Sequence, residues 1–310
     1  MIGLLIGGSV AIAEQPRPLT RTHNDQWIGD GISYGPHRDG QAPGGASPTR
    51  EQIREDLRIL AGRFSLIRMY GSVGPAADAL DIIREDGLSL RVMVGAWIAP
   101  NAEEANRAEV EAAIRLANEY PEIVWAVNVG NETQVYWSAH RVPAETLIEL
   151  IRDVRRRVSC PVTTCDDYNF WNRPESAAVA AEVDFIGLHA YAMWNTQTLA
   201  NALEWTREQI DDVASRHAGL PIVLCETGWA TSVASHGQQA ELIIGAPGER
   251  EQELFYRAFA SWAKEAEQPY FYFEAFDENW KGGDDPAEVE KHWGLWRADR
   301  TPKLAAPTAE

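Results

Sequence analysis

The run Ile123-Val124-Trp125-Ala126-Val127-Asn128-Val129, followed at once by Gly130-Asn131-Glu132, sets the reading of the whole chain. Its apolar residues are continuous rather than alternating, as expected for a parallel strand covered on both faces. A polar loop and an amphipathic stretch over 143–157 come next, and then a second apolar run at 161–165. The same order of strand, polar or Gly/Pro-rich loop and helix repeats from residue 27 onward. Strands are predicted at 31–35, 66–70, 89–95, 123–129, 161–165, 184–189, 221–225 and 270–276. Thr49 opens a helix with Gln52 as its capping-box partner and Ile53, Leu57 and Leu60 as its apolar stripe. Another, from about Glu249, spaces Leu254, Ala258 and Trp262 four apart, and further helices cover about 75–86, 103–119, 143–157, 175–182 and 198–216.

Eight strands alternating with seven clear helices, over roughly 250 residues, point to an α/β chain closed into a single (β/α)8 TIM barrel. An open doubly wound sheet would normally carry Gly-x-Gly-x-x-Gly after its first strand, and that pattern is absent. No linker or repeat array divides the chain. The barrel is assigned to 27–300, between an N-terminal segment (1–26) and a C-terminal tail (301–310).

Composition narrows the partners. The 310 residues are 45% hydrophobic, enough for a substantial core, which excludes a disordered or disulfide-stapled chain. Asp and Glu number 46 against 28 Lys and Arg, a formal charge of −18. Such a surface repels phosphate backbones and anionic headgroups, so nucleic-acid and membrane partners are excluded and a neutral ligand is favoured. Cys160, Cys165 and Cys225 include no CxxC pair and no His at metal-ligand spacing, so no metal site is expected. Cys165 and Cys225 fall within strands, where the thiol acts as a small hydrophobe. Residues 1–13 are apolar and end Ala11-Ile12-Ala13, like a signal-peptide remnant, but lack a basic start. An ordinary apolar N-terminus is an equal reading; the motif leans toward a periplasmic or secreted location over a cytoplasmic one. Oligomeric state leaves no mark in the sequence.

In such barrels the working residues lie at the C-terminal ends of the strands. Two carboxylates end apolar strands there: Glu132 after strand four and Glu226 after strand seven. A charge at such a position is costly unless hydrogen-bonded or functional. A lone strand-end Glu would ordinarily be a cap or ion pair. Two of them across one barrel mouth read as the carboxylate pair of glycoside hydrolysis, one acid and one nucleophile.

Five ordered blocks carry a family resemblance: Tyr34-Gly35, Arg68-Met69-Tyr70, Val129-Gly130-Asn131-Glu132, Glu226-Thr227-Gly228-Trp229 and Phe276-Asp277-Glu278-Asn279-Trp280-Lys281. The third and fourth resemble clan A of the glycoside hydrolases, and the set resembles glycoside hydrolase family 17, whose members act on β-1,3-glucan with retention and need no cofactor. The wording looks closest to bacterial members, some of which are transglycosylases. The resemblance implies that Glu132 is the acid/base and Glu226 the nucleophile. It further implies that Asn131 bonds the sugar 2-hydroxyl and that Tyr191 holds the nucleophile. Arg68 is a second support for that anion or simply an ion pair at the mouth. Tyr34, Tyr70 and His189 complete the strand-end set expected to bind substrate. Plant-type members tend to have Asn where His189 stands and Asp where Gly71 stands, which bears on subsite shape and not on the catalytic pair.

Trp137, Trp171, Trp194, Trp229 and Trp280 fall in predicted loops after strands four to eight, on the face of the two Glu. Indoles stack on the C–H faces of pyranose rings and grip a neutral sugar without charge. Any one of them is as readily a core residue, but five on one face imply sugar contact by two or more. Trp27, Trp125, Trp205 and Trp262 read as packing residues, and His37 and His140 as ordinary surface histidines. Lys281, one of only four Lys, matches with Glu278 a pair placed near the sugar in the family; the competing reading is a surface ion pair of small value. The expectation is a retaining enzyme on neutral β-1,3-glucan, with the loop Trp leaning toward transfer to a glucan acceptor over hydrolysis. The alternatives are a clan A enzyme on β-1,4-glucan or mannan, against which the strand-eight block speaks, and a non-catalytic carbohydrate-binding barrel, which has no need of both Glu with Asn131 and Tyr191.

Overall fold

The computed structural model describes residues 15–308, so the signal-peptide reading of residues 1–13 lies outside it. Eight parallel strands form one closed barrel in chain order: β1 (Asp30–Ser33), β2 (Leu66–Arg68), β3 (Arg91–Ala96), β4 (Val124–Asn131), β5 (Val162–Asp167), β6 (Ile186–His189), β7 (Ile222–Glu226) and β8 (Tyr270–Tyr272). β8 pairs back onto β1, with Tyr270 opposite Asp30 and Tyr272 opposite Ile32, and this shuts the ring. The expected TIM barrel is the observed one.

Helices α1 (Arg50–Leu60), α2 (Pro75–Asp86), α3 (Glu103–Glu119) and α4 (Ala144–Arg157) cover the outside of the first half. Thr49 caps α1 through the full reciprocal box: its hydroxyl accepts from the Gln52 amide and the Gln52 side chain accepts from the Thr49 amide at 2.8 Å. The helix expected at 175–182 is the short α6 (Ser176–Ala180), preceded by an unforeseen turn of helix, α5 (Tyr168–Trp171). α7 (Leu199–Arg216) and α9 (Glu249–Glu265) match expectation, while α8 (Gly237–Leu242) is an unforeseen turn in the long loop after β7. Among the described residues no α-helix follows β8, and none is long and apolar enough to cross a membrane.

Two apolar layers hold the barrel. Outside the strands, Leu57, Leu80, Ile114, Ile151 and Phe259 of the helices pack on strand residues such as Ile67, Val94 and Val127. Inside, Leu66, Met93, Trp125, Phe185, Val223 and Phe271 fill the lumen together with Cys165 and Cys225, both buried free thiols. The lumen is therefore a packed plug with its polar work confined to one end. Residues 15–27 close the opposite end. A hairpin (Thr22–His23, Gln26–Trp27) lies there, Thr20 accepts from the Trp125 indole at 2.7 Å, and the Arg17 amide donates to Asp184.

Candidate active site

The end of β4 is shaped by two residues with left-handed backbone, Gly130 at φ +80° and Glu132 at φ +51°. Pairing with β5 slips between Asn128 and Asn131, so this is a bulge that re-aims the strand end into the barrel mouth. Glycine is required at its first position. A Cβ on Gly130 would lie 2.9 Å from Thr133 Cγ2 and 3.2 Å from Leu147 Cδ1. The Glu132 amide still donates to the Cys165 carbonyl at 2.9 Å, which ties the bulge to β5. Across the mouth Glu226 is the last residue of β7 and pairs with His189 of β6 after a one-residue slip in register that skips Cys225.

Glu226 is buried and surrounded by donors. Its Oε1 accepts from Arg68 at 2.5 Å and from the Tyr70 hydroxyl at 2.9 Å, and its Oε2 from the Tyr191 hydroxyl at 2.7 Å. Burial alone would raise its pKa, but the charges of His189 and Arg68, with the hydrogen bonds from Arg68 and Tyr191, outweigh it and hold the carboxyl at about 2. Arg68 forks: its second nitrogen donates to Asn131 Oδ1 at 2.5 Å. One guanidinium thus orients both the anion and the amide beside Glu132. Asn131 lines the cleft, and its NH2 makes no hydrogen bond to a described residue.

Glu132 lies with its Oε1 3.1 Å from His189 Nδ1 and its side chain 19% exposed. Ligand-type atoms of Glu132, His189 and Glu226 all fall within 4.8 Å of one another, so an oxygen of each carboxylate lies within that distance of the other. Retaining enzymes set their carboxyl groups about 5–5.5 Å apart. The same trio could in principle ligate a cation. Its lone pairs are committed elsewhere, however: three donors occupy Glu226 and the Arg68 charge sits against it.

Beyond β8 a second charged group forms. Lys281 Nζ bonds Glu274 and Glu278, each at 2.7 Å, and stands 4.5 Å from the centre of the Phe273 ring. Burial raises the Glu274 pKa well above the ordinary range against the pull of Lys281, with Glu278 adding to the rise. Burial acts the same way on Glu278, but the Lys281 charge and the donors around it keep that carboxyl lowered. Two buried carboxyls thus face one ammonium, with opposite shifts. The sequence pointed to Glu278 and Lys281; Glu274 escaped notice because it sits inside what read as an uninterrupted strand.

The BtgE/BtgC glycoside hydrolase domain matches residues 31–294. This chain belongs to that family. A glucan 1,3-beta-glucosidase from Arthroderma benhamiae is 28% identical over 96% of this chain and 95% of its own. An endo-laminarinase from Formosa Hel1_33_131 superposes with a TM-score of 0.78 at 27% identity, over 90% of this chain and 86% of that one. A Rhizomucor miehei β-1,3-glucanosyltransferase, an active-site mutant in complex with laminaritriose, has the same fold at a TM-score of 0.74 and 23% identity, covering 91% and 97%. The resemblance to glycoside hydrolase family 17 holds, and the glycoside hydrolase is an enzyme of that family.

In this glycoside hydrolase a cleft of about 1390 Å³ runs over the carboxylates. That exceeds the roughly 300–1000 Å³ of a small-molecule pocket and suits a chain of sugars. Tyr70, Asn131, Trp137, Tyr191, Trp194, Glu278, Trp280 and Lys281 line it, as expected of substrate-binding residues. Tyr34 offers only its ring, since its hydroxyl turns away to Asp56 at 3.2 Å. Arg68 is fully buried and is the expected second support of the Glu226 anion, not a sugar contact. Three other expectations need correction. His189 is fully buried and does not line the cleft; it lies under the carboxylates and contacts those. Trp171 is fully buried, its indole donating to the Gly187 carbonyl and standing edge-on to His217. Trp229 turns outward against Phe255 of α9 and donates to the Ala246 carbonyl. Both indoles are core.

The cleft also holds residues that the sequence did not single out. Trp97 and Tyr136 stand on one side, Trp293 and Phe273 on the other, and His37 and His140 line the wall, contrary to their surface reading. His140 stands edge-on to Trp97 at 4.6 Å, and His37 edge-on to Trp280 at 6.0 Å. Trp97 directly follows β3, the same kind of strand-end position that marked the two Glu. Trp293 and Glu290 follow the last strand, where periodicity ends and no pattern marks them.

Proposed function

We propose that this glycoside hydrolase cleaves β-1,3-glucan with retention and passes the glycosyl unit to a second glucan chain in competition with water. The observation that carries the reading is Glu226, kept ionised by Arg68, Tyr70 and Tyr191 with an oxygen of Glu132 within 4.8 Å. Glu226 attacks the anomeric carbon while Glu132 protonates the departing oxygen, giving a covalent glycosyl–enzyme. Glu132 then takes the proton of the incoming hydroxyl, which displaces Glu226. The free NH2 of Asn131 suits a donor to the 2-hydroxyl, a contact that strengthens as charge develops at the anomeric carbon.

Kinship with the glucan 1,3-beta-glucosidases and the endo-laminarinase supports the linkage. Aromatic side chains from the loops after β3 and β4 (Trp97, Tyr136, Trp137) face others from β6 and β8 (Trp194, Trp280, Trp293), which supports sugar rings on both sides of the cleaved bond and hence an acceptor site. Laminari-oligosaccharides should yield products longer than the input, and initial rates on β-1,4-glucan or mannan should be far lower. Glu226→Ala should abolish turnover, and azide with an activated β-glucosyl donor should restore a reaction of inverted stereochemistry. Near-normal activity of that variant on laminarin would overturn the assignment.

A further inference from the structure

His189 has a placement that substrate binding does not explain. It is fully buried at the end of β6, beneath the cleft, with one nitrogen toward each carboxylate. Nδ1 is 3.1 Å from Glu132 Oε1, a hydrogen-bond distance that requires one proton between them. Nε2 is 3.4 Å from Glu226 Oε1, in ion-pair range but without a hydrogen bond of its own. Once glucan fills the cleft, Glu132 is covered from solvent on its open side. Among the described residues, His189 is the one side chain hydrogen-bonded to the Glu132 carboxyl and so is placed to supply the proton it must deliver.

We propose that His189 is a positioning residue that stores the catalytic proton, handing it through Nδ1 to Glu132 before the leaving group departs and recovering it when Glu132 deprotonates the acceptor. In the first step the proton moves from Nδ1 to Glu132 Oε1, leaving neutral imidazole. Glu132 gives it to the glycosidic oxygen as the C1–O bond breaks and the C1–Glu226 bond forms. In the second step Glu132 takes the acceptor proton, the C1–O bond to the acceptor forms, and the C1–Glu226 bond breaks. The proton then returns to Nδ1, and the cycle closes with no net change. The inference rests on the retaining mechanism proposed above.

Every neighbouring element bears on this proton. Glu132 approaches from just past β4, Cys165, Asp166 and Asp167 from β5, Cys225 and Glu226 from β7, Arg68 from β2 with Tyr70 just beyond it, and Tyr191 from the loop after β6. Burial would lower the His189 pKa, but Glu226, the Cys165 thiol and Glu132 together lift it to about 10. Burial pushes Asp166 up to about 8 even though three backbone amides bond to it, so it adds little negative charge at neutral pH. The imidazolium is therefore balanced by the working carboxylates themselves.

The test is the pH profile of kcat/KM on laminari-oligosaccharides for the wild type and for His189→Asn, with folding checked by thermal melting. With the imidazole present, the pair Glu132–His189 keeps its proton into alkaline solution. Without it, the proton loses its second holder, and the alkaline limb should move acidward. Activity of the variant at pH 7 should then fall at least tenfold, to about a tenth or less of its own value at its acid optimum. Loss of the imidazolium also releases Glu226 upward, so the acid limb should rise and the bell narrow from both sides. A dinitrophenyl donor, whose leaving group needs no acid, should react with no alkaline limb in either protein. A bell lowered at every pH without narrowing would overturn the proposal. A wild-type measurement stands apart from any folding defect: imidazole protonation releases much heat and carboxylate protonation little. The wild-type alkaline limb should thus shift acidward on warming, and a limb that stays fixed would also overturn it. A wild type inactive on every β-1,3-glucan would instead count against the functional reading.

Discussion

At the level of single residues, the nucleophile depends on three donors from the ends of β2 and β6, and each donor can be weighed. The Tyr191 hydroxyl bonds Glu226 at 2.7 Å, while its ring packs at 5.2 Å on Trp293 and 5.8 Å on Phe273. Tyr191→Phe keeps that packing and removes one hydrogen bond to a charged group, an interaction of about 1.5–3 kcal/mol. The expected loss in kcat/KM is roughly 10- to 100-fold, with little change in melting temperature. Because the phenol lowers the Glu226 pKa, its loss should move the acid limb of activity upward. An unchanged limb with a large fall in melting temperature would mean that the ring, not the hydroxyl, is what matters. The sequence made Glu132, Asn131, Tyr191 and Glu226 legible because each ends or follows an apolar run. It misplaced Trp171 and Trp229 because loop membership does not say which way an indole turns. It took His189 for a sugar contact because a strand-end position does not reveal depth.

At the level of elements, the decisive irregularity is the end of β4. The apolar run suggested a strand stopping at Val129, since Gly130 reads as a terminator. The strand instead runs through Asn131, because a glycine at φ +80° lets the chain bulge and continue. β8 errs the other way: expected over 270–276, it stops at Tyr272, and beyond it Ala275 still donates to Ser33 of β1 while accepting from Trp296 of a returning segment. That return segment has no periodicity of its own, which is why Trp293 and Glu290 were invisible. The capping box at Thr49 was readable because both its residues are local in sequence. Gly130→Ala tests the bulge. A left-handed L-residue costs about 1–2 kcal/mol, and the new methyl would press on Thr133 and Leu147. Stability to urea should fall by about 1–3 kcal/mol. Activity at a temperature where the variant is fully folded should fall much further, because Asn131 and Glu132 follow directly on the distorted turn. Full specific activity in the folded variant would show that the strand end tolerates another path.

At the scale of the whole molecule, the charge of −18 is unevenly distributed. Many of the Arg residues are engaged with acids on the helices: Arg50, Arg54 and Arg58 of α1 meet Asp78, Glu85 and Asp86 of α2, and Arg152 meets Glu182. Arg300 is buried against Asp56 and ties the C-terminal segment to α1. The cleft is left acidic, with Glu109, Glu132, Asp167, Glu226, Glu278 and Glu290 against Lys281. Burial, with the fields of Glu132 and Glu226 and against that of Lys281, pushes Glu290 up to about 7, so the negative potential there deepens as pH rises through neutrality. A neutral glucan does not feel this field, but a carboxymethylated β-1,3-glucan of the same backbone must enter against it. Between about 0.01 M and 1 M salt the screening length shrinks from about 30 Å to 3 Å. Over that range KM for unmodified laminarin should stay flat, while KM for the anionic polymer should start higher and fall as salt is added. The gap at low salt should also widen from pH 6 to pH 8 as Glu290 ionises. Equal salt dependence for the two polymers would mean that the cleft potential plays no part in choosing the substrate, and that the aromatic walls alone select it.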